Sequence, residues 1–370
     1  MPKGQLTVIV AAGQSRNPEK RELEQTIAQL AGAVDGVQVV CVAHLYDLAK
    51  DGETYQMLRH IDGDMVLISW MFPRAAHWIL DRNGVRGQVG LVELQQVFDE
   101  DDEEPPEQVQ ELEEDRVTSL QPRPQRTIYT LDFRASEQAQ DFVAEIERIA
   151  HLQSQGTVSS TVARPLTLEM LTRFENPTND TYVGSGAAPD SDSLSDGGLP
   201  AISTLFGTSS VATIQEHPAR RWYPVIDFSR CTNCMECIDF CLFGVYGIDS
   251  QETILVEQAD NCRKGCPACS RVCPQNAIMF PQHKTPAIAG APVDAGGLKI
   301  DLSKLFGAPD EGEDAAAAAI RERDEQLVLA GRQAVGDDTG LSERIGRSPS
   351  SGQSPDQLDD LIDQLDALDL

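Results

Sequence analysis

Basic side chains are scarce in this 370-residue chain: 30 Lys and Arg stand against 59 Asp and Glu, a formal net charge of −29. No basic patch offsets phosphate repulsion, so nucleic acid is excluded as a partner class. Long apolar runs are also missing. No stretch reaches membrane-spanning length, and the apolar part of MPKGQLTVIVAAG is too short for a signal peptide. The chain therefore reads as cytoplasmic and reducing, with no membrane partner. Aromatics supply only 5% of residues, but a 41% apolar content still supports a core. The length leaves room for two domains plus linkers. Catalytic signatures are absent as well. The AAGQS turn at 11–15 lacks the lysine and spaced glycines of a phosphate loop. There is no dinucleotide fingerprint and no nucleophile-and-base arrangement, so a non-enzyme is the favoured class.

What the chain does have is cysteine in one place. Eight of its nine cysteines fall between Cys231 and Cys273. The first run, CTNCMECIDFC, holds Cys231, Cys234, Cys237 and Cys241 at C-x2-C-x2-C-x3-C spacing. The second, CRKGCPACSRVC, holds Cys262, Cys266, Cys269 and Cys273 at C-x3-C-x2-C-x3-C, with Pro274 next. This is the ligand pattern of cubane iron–sulfur clusters. A four-iron cluster needs one thiolate per iron. Three closely spaced cysteines can ring one cube, and the fourth must come from elsewhere. In two-cluster chains the last cysteine of each run crosses to the other cluster. The expected sets are Cys231, Cys234, Cys237 and Cys273 for one [4Fe–4S] cluster, and Cys262, Cys266, Cys269 and Cys241 for the second. A closed zinc site is the alternative, although zinc usually takes two separated CxxC knuckles. Disulfides fit worse, because nothing marks the chain as secreted. The ninth cysteine, Cys41, sits in VQVVCVAHL and reads as a small buried hydrophobe.

The stretch repeats itself. PVIDFSRC parallels ILVEQADNC before the two runs, and CLFGVYGI parallels CPQNAIMF after them. Each half reads as strand, cysteine loop, short helical turn, strand. On these residues, about 220–285 resemble a bacterial-type two-cluster ferredoxin domain. The resemblance implies a small α+β module (217–287) and electron transfer between a redox protein donor and an acceptor. Two features depart from the family pattern. Leu242 follows Cys241 where proline is usual, and the Cys262–Cys266 gap carries one extra residue, read as Gly265 in a widened loop.

The N-terminal part, 1–152, reads as an α/β domain with a mostly parallel sheet. Strands are expected at 6–12, 37–45, 64–72 and 126–133. A helix capped by Ser15 or Asn17 should carry Leu23, Ile27 and Leu30 on one face and end at Gly32 and Gly36. Further helices are expected around 52–60, from 75 to 80, and at 136–152, the last with Ser136 as candidate cap and Phe142, Ile146 and Ile149 on one face. The opening strand, the Ser15–Pro18 turn and the Glu-rich helix resemble half of a class II, sirohydrochlorin-type chelatase. That resemblance implies a metal or tetrapyrrole ligand. The family places a metal-handling histidine where this chain reads Ala11, Ala12, Gly13 and Gln14. His77 matches its second histidine; alternatively His44 and His77 are ordinary histidines at strand ends.

The rest reads as connection. Residues 99–115 carry eleven acidic side chains and no basic one, within an insertion set at 99–124. Residues 153–216 read as a flexible linker with one short helix at 167–174. The Arg220, Arg221, Trp222, Tyr223 group either packs beside a cluster or presents a docking patch. The tail, 288–370, reads as extended and helical, with a short docking segment at 298–307 and a helix at 313–336. At its end, Leu358, Leu361, Ile362, Leu365 and Leu368 line one face of 356–370, suited to a groove on this chain or a partner. The functional expectation is electron transfer. The alternatives are an iron–sulfur enzyme whose chelatase-like domain binds a metal or tetrapyrrole, and an adaptor that docks an oxidoreductase.

Overall fold

A computed structural model describes residues 6–61, 63–95, 116–121, 123–154, 210–291 and 315–336. The acidic stretch 99–115, the helix at 167–174, the 298–307 segment and the 356–370 face lie outside these residues. The chain divides into two compact units, residues 1–102 with 123–219, and residues 103–122 with 220–370.

The first unit is an α/β domain built on a parallel sheet. Its elements in order are β1 (Leu6–Ala11), α1 (Pro18–Ala31), β2 (Val37–Val42), α2 (Glu53–Arg59), β3 (Met65–Ser69), α3 (Pro73–Arg82), β4 (Gln88–Val89), β5 (Thr127–Asp132), α4 (Ala139–Ser154) and β6 (Val211–Thr213). The sheet order is β4-β5-β3-β1-β2-β6, and every pairing is parallel. β1 and β3 are buried at every position, as unbroken apolar runs in a doubly covered sheet should be. Side chains alternate across the sheet. Val8, Val10, Val39, Val66 and Ile68 face one core, where Ile27, Ala28 and Ala31 of α1 and Phe142, Ile146 and Ile149 of α4 close over them.

Several local expectations shift. Asn17, not Ser15, caps α1: its Oδ1 accepts the Glu19 N–H at 3.0 Å, with Pro18 in the first turn. Ser15 instead accepts the Asn17 N–H. Leu30 is 37% exposed, and Ala31 takes the buried place. The buried face includes Glu24, which accepts from the Gly13 N–H (2.8 Å), Trp70 Nε1 (2.7 Å) and Arg21 (2.9 Å). This carboxylate ties the turn after β1 to the turn after β3. Ser136 stands ahead of α4, bonding Gln138 and Asp141 within the turn. β6 lies inside the span read as linker. Val211 pairs with Val39, and the Ile214 N–H bonds to Cys41 O at 3.0 Å, so 210–214 belong to the sheet. Cys41 is only partly buried, packed against that core.

The second unit has smaller elements: β7 (Val225–Ile226), α5 (Glu236–Phe240), β8 (Tyr246–Ile248), β9 (Ile254–Val256), α6 (Ala268–Val272), β10 (Ile278–Met279), α7 (Pro286–Ala289) and α8 (Ala315–Leu329). β7 pairs antiparallel with β10, and β8 with β9. Each half thus runs strand, cysteine loop, one helical turn, strand. A further helical turn, Val117–Leu120, falls inside the span read as acidic insertion; the Val117 N–H bonds to Cys231 O at 2.9 Å. α8 packs on α6, where Ala319 and Ile320 join Phe240, Cys266, Ala268 and Val272.

Candidate metal centre

Two cavities open in the second unit. Cys231, Cys234, Cys237 and Cys273 line the first, with Ile226, Ile254 and Ile278 among its apolar walls. Cys241, Cys262, Cys266 and Cys269 line the second, with Phe240, Phe243 and Val245. Cys273 therefore stands with the first run and Cys241 with the second. The loops reach this arrangement through left-handed backbone. Asn233 (φ 60°) and Met235 (φ 66°) turn the first loop, and Gly265 (φ 87°) turns the second. Asn233 holds its strained position with its side chain, accepting the Ile254 N–H (2.9 Å) and donating to Glu252 O (2.8 Å).

The donor chemistry suits a metal–sulfide cluster. The thiols are the only metal-binding type shared by both cavity walls among the described residues, and several already receive hydrogen bonds. The Asn233 N–H donates to Cys231 Sγ (3.4 Å), the Ala277 N–H to Cys273 Sγ (3.3 Å) and the Tyr246 hydroxyl to Cys269 Sγ (3.1 Å). Burial pushes up the thiols of Cys231, Cys237, Cys241, Cys262, Cys266, Cys269 and Cys273, and neighbouring thiols push most of these further. Cys231 rises to about 11 through burial, with Cys273, Cys234 and Asp227 adding to it. Cys266 also rises to about 11, through burial first and then Cys241 and Glu322. Cys237 is raised by burial and then by Cys273, Cys231 and Cys234; Cys269 by burial and then chiefly by Cys241 and Cys262. Thiols so placed ionise when a cation arrives to share their charge. Among the described residues, no three His, Cys, Asp or Glu side chains close on one point as they would around a lone ion. The thiols ring a space instead.

Of the Arg220–Tyr223 group, Arg220 is exposed and the other three pack. Trp222 stacks on Phe280 (5.1 Å) and donates Nε1 to Cys266 O (3.1 Å), Tyr223 is buried, and Arg221 pairs with Asp260 at 2.7 Å. In the first unit, His77 is buried in α3, edge-on to Trp78. His44 follows β2, with Nδ1 3.5 Å from Asp47 Oδ2, and Gln14 Nε2 donates to the same Asp47 oxygen at 2.6 Å. Glu236, Tyr246, Arg263 and Arg323 are cavity-lining residues that escaped the sequence reading. Arg323 lies in α8, 50 residues beyond the last cysteine, and its only sequence signal is a charge inside an alanine-rich helix.

No family model matches the chain, and no solved structure matches it. An uncharacterized ferredoxin of Methanocaldococcus jannaschii is 46% identical over 66 residues, 18% of this chain and 44% of that protein. Pyruvate synthase subunit PorD of the same organism is 36% identical over 59 residues, 16% of this chain and 66% of that subunit. The chain spans about half to two thirds of the length of these relatives, and they span under a fifth of it. With the eight grouped cysteines, the likenesses support a ferredoxin-type iron–sulfur domain in this chain.

Proposed function

We propose that the chain is an electron carrier holding two [4Fe–4S] clusters in a module at 217–287, one on Cys231, Cys234, Cys237 and Cys273 and one on Cys262, Cys266, Cys269 and Cys241. The observation that carries this reading is the crossed grouping of the thiols around the two cavities, the arrangement two-cluster ferredoxins require. A lone zinc ion would need four thiolates about 2.3 Å from a single point. Bound there, the clusters would supply reversible one-electron chemistry.

The chain's own groups prepare that chemistry. Ile226, Ile254, Phe240 and Val245 keep water from the cavity walls, and the N–H and O–H donors to sulfur favour thiolate over thiol. Cys234 is exposed, so one thiol of the first set lies at the surface, where a redox protein would approach. Among the described residues no helix is long and apolar enough to cross a membrane. The likeness to a pyruvate synthase subunit supports an oxidoreductase as donor or acceptor. Iron and acid-labile sulfide counts on anaerobically purified chain test the reading: about eight of each are expected. A colourless protein without iron, or one carrying zinc instead, overturns it.

A further inference from the structure

The two cavities differ in charge. Among the described residues, the first has one charged side chain in its wall, Glu236, which is buried. The second has two, Arg263 and Arg323, both cationic. Arg323 is 1% exposed, lies 4.7 Å over the Phe240 ring, and reaches the cavity from α8, outside the repeated cysteine halves. Arg263 lies 5.6 Å over the Phe243 ring but is itself exposed, so solvent screens its charge. The second cavity also holds the Tyr246 hydroxyl, 3.1 Å from Cys269 Sγ.

Counter-charges reduce this difference. Asp324 accepts from Arg323 Nε at 3.0 Å, but its side chain is 14% exposed against 1% for the arginine, and it does not line the cavity. Glu322 pairs with Arg271 at 2.9 Å yet still pushes the Cys266 thiol up, so it offsets part of the second cavity's positive charge. Near the first cavity, Asp227 faces Arg230 at 3.7 Å. Arg116 donates to Gln275 Oε1 (2.9 Å), in the first cavity's wall, and to the Arg230 carbonyl, so one cation also stands beside the first cavity. Charges that line a dry cavity act through a low dielectric, whereas more exposed partners are screened.

We propose that the walls make the two clusters unequal: buried Arg323 and the Tyr246 hydroxyl favour added negative charge in the second cavity, Glu236 disfavours it in the first, and a single electron settles on the cluster held by Cys241, Cys262, Cys266 and Cys269. This inference rests on the two-cluster reading above. It assigns α8 a part in tuning as well as packing. Because coupling free energies are reciprocal, reduction must also tighten the hold on Arg323 and so on α8.

The test is a dithionite titration of the full, anaerobically loaded chain, followed by electron paramagnetic resonance. Two midpoint potentials are expected, the higher belonging to the signal altered in Cys269→Ser. Arg323→Gln should lower the higher potential and leave the other nearly in place. Tyr246→Phe should move it the same way, the exposed Arg263→Gln by less, and Glu236→Gln should raise the lower potential. If Arg323→Gln loses iron, Tyr246→Phe carries the same comparison. Equal potentials, equal shifts of both, or a higher potential belonging to the signal altered in Cys237→Ser overturn the inference. Failure of the two-cluster reading is told apart by the wild-type iron and sulfide count, made before any titration.

Discussion

In the parallel sheet, β1 and β3 run for six and five residues with every side chain buried, whereas the strands around the cysteines run for two or three. Two helices of 14 and 16 residues cover one face of the sheet. Beside the cysteines, α5 and α6 are five residues each. The first unit has the continuous apolar layers that pay for chain entropy. The second has pairs of strands too short to stand alone and loops that keep Asn233 and Met235 at positive φ, a conformation costing about 1 kcal/mol or more at each non-glycine residue. On the two-cluster proposal, eight metal–thiolate bonds would add to its stability.

The sharpest way to break this comparison is to strip the metal. Chelation of the anaerobically purified chain should leave the amides of β1, β3 and β5 protected from hydrogen exchange while those of β7 to β10 and both cysteine loops lose protection. Equal protection in both units would mean that the cysteine unit folds on its own core. Half of that effect is expected from a single thiol: Cys269→Ser and Cys237→Ser should each take the iron count from about eight toward about four. A change of another kind probes the sheet. Phe142 is fully buried between the sheet and Phe133, whose ring centroid is 5.9 Å away. Phe142→Ala should cost the first unit about 3–5 kcal/mol in urea unfolding with no change in iron content; a loss of iron in this variant would break the contrast.

The two units were also unequally legible in sequence. LTVIVA and MVLIS are unbroken apolar runs, and a parallel sheet is the ordinary way to bury such runs on both faces. Phe142, Ile146 and Ile149 repeat at helical spacing and all are buried. Leu30 shows the weakness of the same argument: steps of three and four define a stripe, but not which edge of the stripe the neighbouring helix covers. β4 and β6 were not readable. Two or three residues carry no period, and β6 pairs with a strand about 170 residues earlier, from within a Ser- and Thr-rich stretch. The eight cysteines stood out because their role depends on fixed local spacing. Arg323 and Tyr246 did not, because what matters in them is the wall they line, and that wall is assembled from segments up to about 100 residues apart.

The smallest effect expected concerns His283 in the cysteine-bearing unit. Burial, with Arg271 and Lys284 nearby, pushes its imidazole down to about 4. Its Nδ1 accepts the Thr285 N–H at 3.0 Å, and its ring lies 6.3 Å from Trp222. At pH 7 it is neutral folded or unfolded. Below its ordinary value near 6.5 the unfolded chain takes up a proton that the folded chain refuses until about 4. Stability is therefore complete above pH 6.5 and falls as the pH drops toward 4, by about 1–2 kcal/mol once the partial exposure of the ring is allowed for. His283→Asn keeps an acceptor for Thr285 and removes the titration. Measured side by side from pH 7 to 4.5, the wild type should lose more protection at β7 to β10 than the variant does, while the two agree at β1 and β3. Any acid sensitivity of the clusters is common to both proteins and drops out of the difference. Parallel pH curves for the two would mean that the ring is solvated enough to accept its proton in the folded state.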